Sequence, residues 1–558
     1  MNRYLGHISE TPQNESARPD QIENSAGGFV FALDKWKRLD RWLILGSEGN
    51  TYYVKEGKLT RDNVKSAAEC LAEDGLRFVE HVAAVSDAGR APKNDPAILA
   101  LAMACGSPVP AVRHAALVAL PRVCRIGTHL FHFAEAVQHY RKWGSGLRKA
   151  IASWYVDRSI DSLAMQVAKY QSRDGWSHRD VLRLSHAKPK TPEQNAVFRW
   201  ATHGYAGLTK EVSRGRDDKR VTHGAVEGKL PELLEAFERA KRAESAKDVA
   251  QIIREHNLPR ECVPTEHLND VRVWEALLPH MGLTALVRNL GKMTSVGLLK
   301  PMSEGLKVAV AKLDDGDALR KQRVHPMQLL LALGVYLNGR GDKGSLTWDV
   351  CSGIPEAVMR AFYASFAHVE PTGKNWLIGL DVSGSMTSPL GGAGKLSVRE
   401  AATAMAMVTM RTEKWHHVAA FTSAGGRWGR HSGGKDGISP LAINAEMSLD
   451  DVMKKTDNLP FGGTDCALPM LYAAGEEMPV DVFLIITDSE TWAGNVHPFQ
   501  ALKAYRNKMA RPHAKLIVMG MTSTGFTIAD PTDAGMLDVC GFSSDVPAVM
   551  SSFATGAI

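Results

Sequence analysis

The chain has no Cys-x-x-Cys pair, no run of 18 apolar residues, and no basic-then-apolar leader near its start. Its seven cysteines, Cys70, Cys105, Cys124, Cys262, Cys351, Cys466 and Cys540, are odd in number and scattered. That spacing excludes a disulfide framework and a cysteine zinc site, and it fits a reducing, cytoplasmic setting. The missing apolar run and leader argue against a membrane-spanning helix and against secretion. No internal repeat is self-similar enough to fix a period. What is present is ordinary for a globular protein: 44% apolar and 23% charged residues. At 558 residues the chain is too long for one core, so two or more domains are expected.

The net charge of +6 is unevenly placed. Residues 373–558 hold 15 Lys+Arg against 18 Asp+Glu, whereas residues 1–372 hold 52 against 43. The positive field therefore lies in the larger, N-terminal part, and such a field favours polyanions.

Residues 1–22 are polar and aperiodic, which predicts a mobile tail. Residues 23–370 read almost wholly as helices of 10 to 18 residues with short connections, for example 95–105, 110–123 and 274–289. That texture suits an all-α stack of helix pairs in the HEAT manner. From residue 371 to 558 it changes to alternating strand and helix. Strands are expected at 376–380, 418–422, 482–486 and 516–519, with helices at 397–411, 448–456, 467–476 and 498–509. This is the pattern of a doubly wound α/β domain, in which ligands bind at the carboxyl ends of the strands.

One such end carries Asp381-Val382-Ser383-Gly384-Ser385. A glycine-rich loop ends in Thr464-Asp465, and the apolar run 482–486 ends in Thr487-Asp488. Ser383, Ser385 and Thr464 would supply neutral oxygen ligands, while Asp381 and Asp488 would accept hydrogen bonds from those hydroxyls and from metal-bound waters. Such a set suits Mg²⁺, which takes octahedral oxygen ligands and keeps several waters. The competing reading is that the same groups only cap helices and satisfy loop amides. The cluster resembles the metal-ion-dependent adhesion site of von Willebrand factor A domains. No histidine or lysine lies in the three loops to act as a base, so binding is expected and catalysis is not. Gly394-Lys395 fails as a phosphate-binding loop because Leu396 follows it. Arg340-Gly341-Asp342 reads as a turn.

A second motif lies at 166–190. Lys169 and Arg173 are spaced i, i+4 near a helix end, Gly175 breaks that helix, and Ser177-x-x-Asp180 caps the next. On that next helix Arg179, Arg183 and His186 share a face, and Val181, Leu182 and Leu184 are expected to point inward. The cations could grip successive phosphates, with Trp176 and His186 stacking on unpaired bases. On the residues alone, a solvated cationic face is the commoner reading.

Several longer stretches bear on that choice. Residues 41–53, 174–186, 283–294, 369–374 and 525–531 resemble signatures of the Ro ribonucleoprotein family, in the family's order across both domains. The resemblance implies a ring of helical repeats, the TROVE module, closed by a von Willebrand factor A domain. It further implies binding of small noncoding Y RNA and of the single-stranded 3′ ends of misfolded or maturing RNAs, in RNA quality control, maturation and decay with polynucleotide phosphorylase. It assigns Y RNA contacts to Lys169, Arg173 and His186; Arg179, Arg183 and Lys188 extend that set by position. A monomeric ring and no enzyme activity are expected. The alternative is a scaffold that recruits an acidic protein partner through the Mg²⁺ site. The glycine-rich stretch 424–437 is longer than the family leads one to expect.

Overall fold

The structure is a computed structural model. It describes residues 11–47, 51–208, 211–214, 220–223, 228–341, 344–366, 370–389, 396–423, 437–457, 459, 462–541 and 545–558. Residues 1–10, Asp342, Gly394-Lys395 and the stretch 424–436 lie outside the described residues.

The N-terminal part is a helical array. Its first helix, Lys35–Leu45, starts where the Asp34 carboxylate accepts hydrogen bonds from the Trp36 and Lys37 amides at 2.9 and 3.1 Å. Asp95–Cys105, Pro110–Val123, Pro192–His203, Pro326–Leu337 and Ile354–Ala364 all place proline in the first turn, where no intrahelical amide bond is lost. Some helices pack on the next, as Asp95–Cys105 does on Pro110–Val123, and others on the next but one, around a continuous apolar core. The array then closes on itself. His325 Nε2 lies 3.1 Å from the Arg90 carbonyl, and Gln328 Nε2 donates to the Pro92 carbonyl at 2.8 Å. One expected helix, 274–289, is broken. Val271–Leu277 runs into the 3-10 turn Leu278–His280, and a new helix begins at Leu283–Ser295. Pro279 and Gly282 in that junction explain the break.

Short strand pairs decorate the array. β1 (Gln21–Glu23) and β2 (Phe29–Ala32) are antiparallel, as are β3 (Ser172–Arg173) with β4 (Trp176–Ser177) and β5 (Glu211–Arg214) with β6 (Arg220–His223). The expected mobile tail is corrected from residue 11 onward. Gln13 is fully buried against the second domain, donating to Asp465 Oδ1 at 2.8 Å and to the Val496 carbonyl at 2.7 Å.

The second domain is a six-stranded sheet. In chain order its strands are β7 (Asn375–Asp381), β8 (Trp415–Phe421), β9 (Ile438–Pro440), β10 (Val482–Thr487) and β11 (Lys515–Gly520), and β12 (Phe526–Thr527) leaves the sheet to pair with β2 before β13 (Met536–Cys540) completes it. The order β13-β11-β10-β7-β8-β9 is parallel except at the edge strand β9. Strand order reverses between β7 and β10, so the crevice at their carboxyl ends is the switch point where such sheets bind ligands. Asp381 ends β7 and Asp488 follows β10 there. Arg41 joins the two domains: its guanidinium is fully buried and donates to Asp538 Oδ2 at 2.6 Å and to the Phe526 carbonyl at 3.0 Å.

Candidate metal centre and nucleic-acid interface

Asp381, Ser383, Ser385, Thr464 and Asp488 are all buried. Ser383 N–H donates to Asp381 Oδ1 at 2.9 Å, and the Thr487 hydroxyl donates to Asp381 Oδ2 at 2.6 Å. The hydroxyls of Ser383 and Ser385 lie 3.1 Å apart, and Ser385 also bonds Asp488. Asp488 Oδ1 accepts from the Glu490 amide at 3.1 Å. Thr464 is fixed through its carbonyl, which takes the amides of Trp492 and Ala493, both at 3.0 Å. Strand ends thus join Asp381, Ser383, Ser385 and Asp488 in one neighbourhood, and Thr464 is anchored to the loop that follows Asp488.

The electrostatics fit a cation. Burial, and then the neighbouring Asp488 carboxylate, push the Asp381 carboxyl up to about 7. Asp488 is pushed up chiefly by burial. No lysine or arginine is among the largest influences on either group. Two desolvated carboxyls beside the Ser383 and Ser385 hydroxyls make an all-oxygen donor set, which suits a hard divalent ion. Among the described residues no group of three His, Cys, Asp or Glu side chains is placed to hold a metal.

Three neighbours were not legible as part of the centre. Gln13 holds Asp465 and accepts from the Thr491 hydroxyl. Glu490 is buried and takes the Ala26 amide at 3.1 Å. Tyr53, from the helical array, stands close enough to Asp488 and Glu490 that burial and their charge push its phenol up to about 12. Gln13 and Tyr53 come from segments distant in sequence, so no local spacing signals them, whereas Glu490 lies two residues after Asp488.

In the basic segment, Arg173, Arg179, Arg183, His186 and Lys188 are exposed and Lys169 is half-buried. Lys169 ends helix Ile160–Lys169, but Arg173 sits on β3 of a hairpin and not on a helix. The turn residues Asp174 and Gly175 have φ of 50° and 82°, the left-handed backbone of a tight hairpin. The capping box is present: Ser177 N–H donates to Asp180 Oδ2 at 3.0 Å ahead of helix His178–Ser185. Val181 and Leu182 are buried as expected, whereas Leu184 is 36% exposed. Arg179 and Arg183 stand one turn apart on the outer face, and His186 follows in the left-handed region at φ 52°. Trp176 is partly engaged by the protein itself. It stacks on Trp143 at 6.4 Å and donates its indole N–H to Glu135 Oε2 at 2.7 Å. His178, unremarked as a functional residue in the sequence, anchors the segment from inside, 2.9 Å from the Tyr155 hydroxyl.

The fold and its crevice define a von Willebrand factor A-type domain joined to a closed helical array. Residues 22–335 match the family model of the TROVE domain, and residues 375–554 match that of the Ro60 vWA domain. The chain is 38% identical over 550 residues to the RNA-binding protein RO60 of Deinococcus radiodurans, covering 98% of each chain. It is 36% identical over 614 residues to the RNA-binding protein RO60 of Caenorhabditis elegans, covering 99% of this chain and 93% of the other. The crystal structure of the Deinococcus radiodurans RO (RSR) protein matches with a TM-score of 0.67 at 37% identity, over 94% of this chain and 100% of that one. The chain belongs to the Ro60 family.

Proposed function

We propose that the chain is an RNA-binding protein and not an enzyme. Its cargo is small noncoding Y RNA and the single-stranded 3′ ends of misfolded or maturing RNAs. It acts as a monomeric ring in cytoplasmic RNA quality control, maturation and decay, with polynucleotide phosphorylase as a partner. The observation that carries this reading is the row of solvent-facing cations Arg173, Arg179, Arg183 and Lys188, with Lys169 and His186 at its edges. Membership of a family whose relatives are named RNA-binding proteins supports it. Cations lined up on helix and hairpin ends neutralise successive phosphates and release counterions, which supplies sequence-independent affinity.

The crevice of the second domain would hold Mg²⁺ through Ser383, Ser385 and Thr464, with Asp381 and Asp488 holding its waters. An acidic group from another molecule could complete its coordination, so recruitment of an acidic protein partner is a second reading, favoured by the buried carboxylate and hydroxyl cluster. RNA recovered from the purified protein and sequenced tests the main reading. Enrichment of structured noncoding RNAs with free 3′ tails is expected. Recovery of cellular RNA in simple proportion to abundance would contradict it.

A further inference from the structure

Gln13 precedes Asp465 by 452 residues, yet every polar group it has is engaged at or beside the crevice of the second domain. Its side-chain amide donates to Asp465 Oδ1 at 2.8 Å and to the Val496 carbonyl at 2.7 Å, and its side-chain oxygen accepts from the Thr491 hydroxyl. Its backbone amide donates to the Gly494 carbonyl at 2.8 Å, and its own carbonyl accepts from the Phe29 amide at 2.7 Å. The fit is close: a Cβ on Gly494 would lie 2.4 Å from both Asp465 Oδ1 and Gln13 Nε2.

Residues 488–497 join β10 to helix Pro498–Lys508 and begin with Asp488. They contain neither strand nor helix, so holding them in one arrangement costs conformational entropy that regular structure does not offset. The N-terminal segment supplies much of the restraint. Asn24 Nδ2 donates to the Thr491 carbonyl at 2.8 Å, and the Ala26 amide donates to Glu490 Oε2 at 3.1 Å. Gly28 runs so near that a Cβ would lie 1.8 Å from the Thr491 carbonyl oxygen. At the far end of the loop, His497 Nε2 donates to the Glu15 carbonyl at 2.9 Å.

The same loop also reaches inward. Its Trp492 and Ala493 amides hold the Thr464 carbonyl, and the Thr491 hydroxyl oxygen accepts from the Cys466 amide at 3.1 Å. Through Asp465 and Thr491, then, the segments that carry Thr464 and Asp488 meet on one buried glutamine. A tail that merely covered the sheet would offer apolar side chains. That cover comes from Val30 and Phe31 of β2, whereas the contacts of Gln13, Asn24 and Ala26 with the loop are hydrogen bonds.

We propose that residues 11–29 are a strap that holds the Thr464 and Asp488 segments in the arrangement that takes the cation, with Gln13 as its positioning residue. This rests on the metal reading above. Linkage makes the effect reciprocal: the factor by which a docked strap raises metal affinity is the factor by which bound metal favours docking.

The test uses the full-length protein freed of divalent ions. Mn²⁺ is the probe, because it suits the same octahedral oxygen set and the free ion is counted by electron paramagnetic resonance. Binding that is lost in Asp381→Ala defines the crevice site. Gln13→Ala is expected to weaken that binding roughly tenfold, as removing a group that holds a metal's ligands ordinarily does. Tyr505→Phe deletes a buried hydroxyl that takes the Val480 amide just before β10, at the end opposite the crevice, and binds Mn²⁺ as wild type does. In wild type, saturating Mg²⁺ slows hydrogen exchange of the Gln13 and Phe29 amides roughly tenfold, an arm that needs no variant to fold.

Unchanged Mn²⁺ affinity in Gln13→Ala, or exchange at both amides unmoved once the crevice site is filled, overturns the strap and leaves the metal reading intact. Equal losses in Gln13→Ala and Tyr505→Phe assign Gln13 to general stability and overturn the strap as well. Wild type that binds no more Mn²⁺ than Asp381→Ala overturns the metal reading itself.

Discussion

His178 and Asp381 are both buried ionisable groups, and burial favours the neutral form of each, lowering one pKa and raising the other. For His178 burial lowers the pKa to about 4, and the ring sits neutral between the Tyr155 hydroxyl at 2.9 Å and the Gln166 carbonyl at 3.3 Å. The folded value lies below the ordinary histidine value near 6.5, so the stabilisation is fully present above about pH 6.5. It is lost as pH falls toward 4, by up to about 3 kcal/mol for this residue. Denaturant midpoints measured at pH 7 and pH 4.5 should show a large drop for wild type and a smaller one for His178→Gln. Asp381 leads to a metal prediction. Mg²⁺ at a hundred times its dissociation constant should stabilise the wild type by about 2.7 kcal/mol in thermal melts, and Asp381→Ala should show no such gain. An equal gain in the variant would place the ion elsewhere. The five residues proposed to hold the ion could be singled out in the sequence because two strand ends and one loop end each carry a local signature. Gln13 and Tyr53 could not, because what brings them to the crevice is tertiary packing, and Glu490, two residues after Asp488, was simply passed over.

At the level of elements, the strands of the α/β domain were legible from their continuous apolar runs, to within a few residues at each end. The edge strands β9 and β13 escaped notice. β9 has three residues and ends in proline, and only the last two residues of β13 are buried. The hairpin at 172–177 was read as a broken helix, although its Asp-Gly turn is a hairpin signal once left-handed backbone is considered. What the sequence could not indicate is how the array and the sheet are joined. Arg41 lies mid-helix, where an arginine ordinarily faces water, yet it is buried against Asp538. Arg41→Ala leaves that carboxylate buried and unpaired, with an expected loss of about 3–5 kcal/mol. Scanning calorimetry should detect it, and a variant that melts with wild type would show that the pair contributes little to the junction.

For the whole molecule, the separation of charge read in the sequence has a structural counterpart. The closed array presents exposed cations on one segment, while the α/β domain keeps its buried carboxylates in a crevice at the switch point of its sheet. On the proposed reading each part has its own ligand chemistry, phosphate for the array and a hard cation for the sheet. Chelation of divalent ions should consequently leave RNA affinity nearly unchanged. A large loss in a filter-binding or fluorescence assay would instead tie the two sites together.

The account turns on the basic segment gripping phosphates, and affinity for a tailed Y-type RNA measured across a salt series tests this most directly. For wild type, log affinity is predicted to fall steeply and linearly with log salt, and Lys169→Ala and Arg173→Ala should each reduce the slope by about 1. A flat salt profile in wild type, or slopes that both substitutions leave untouched, would contradict it.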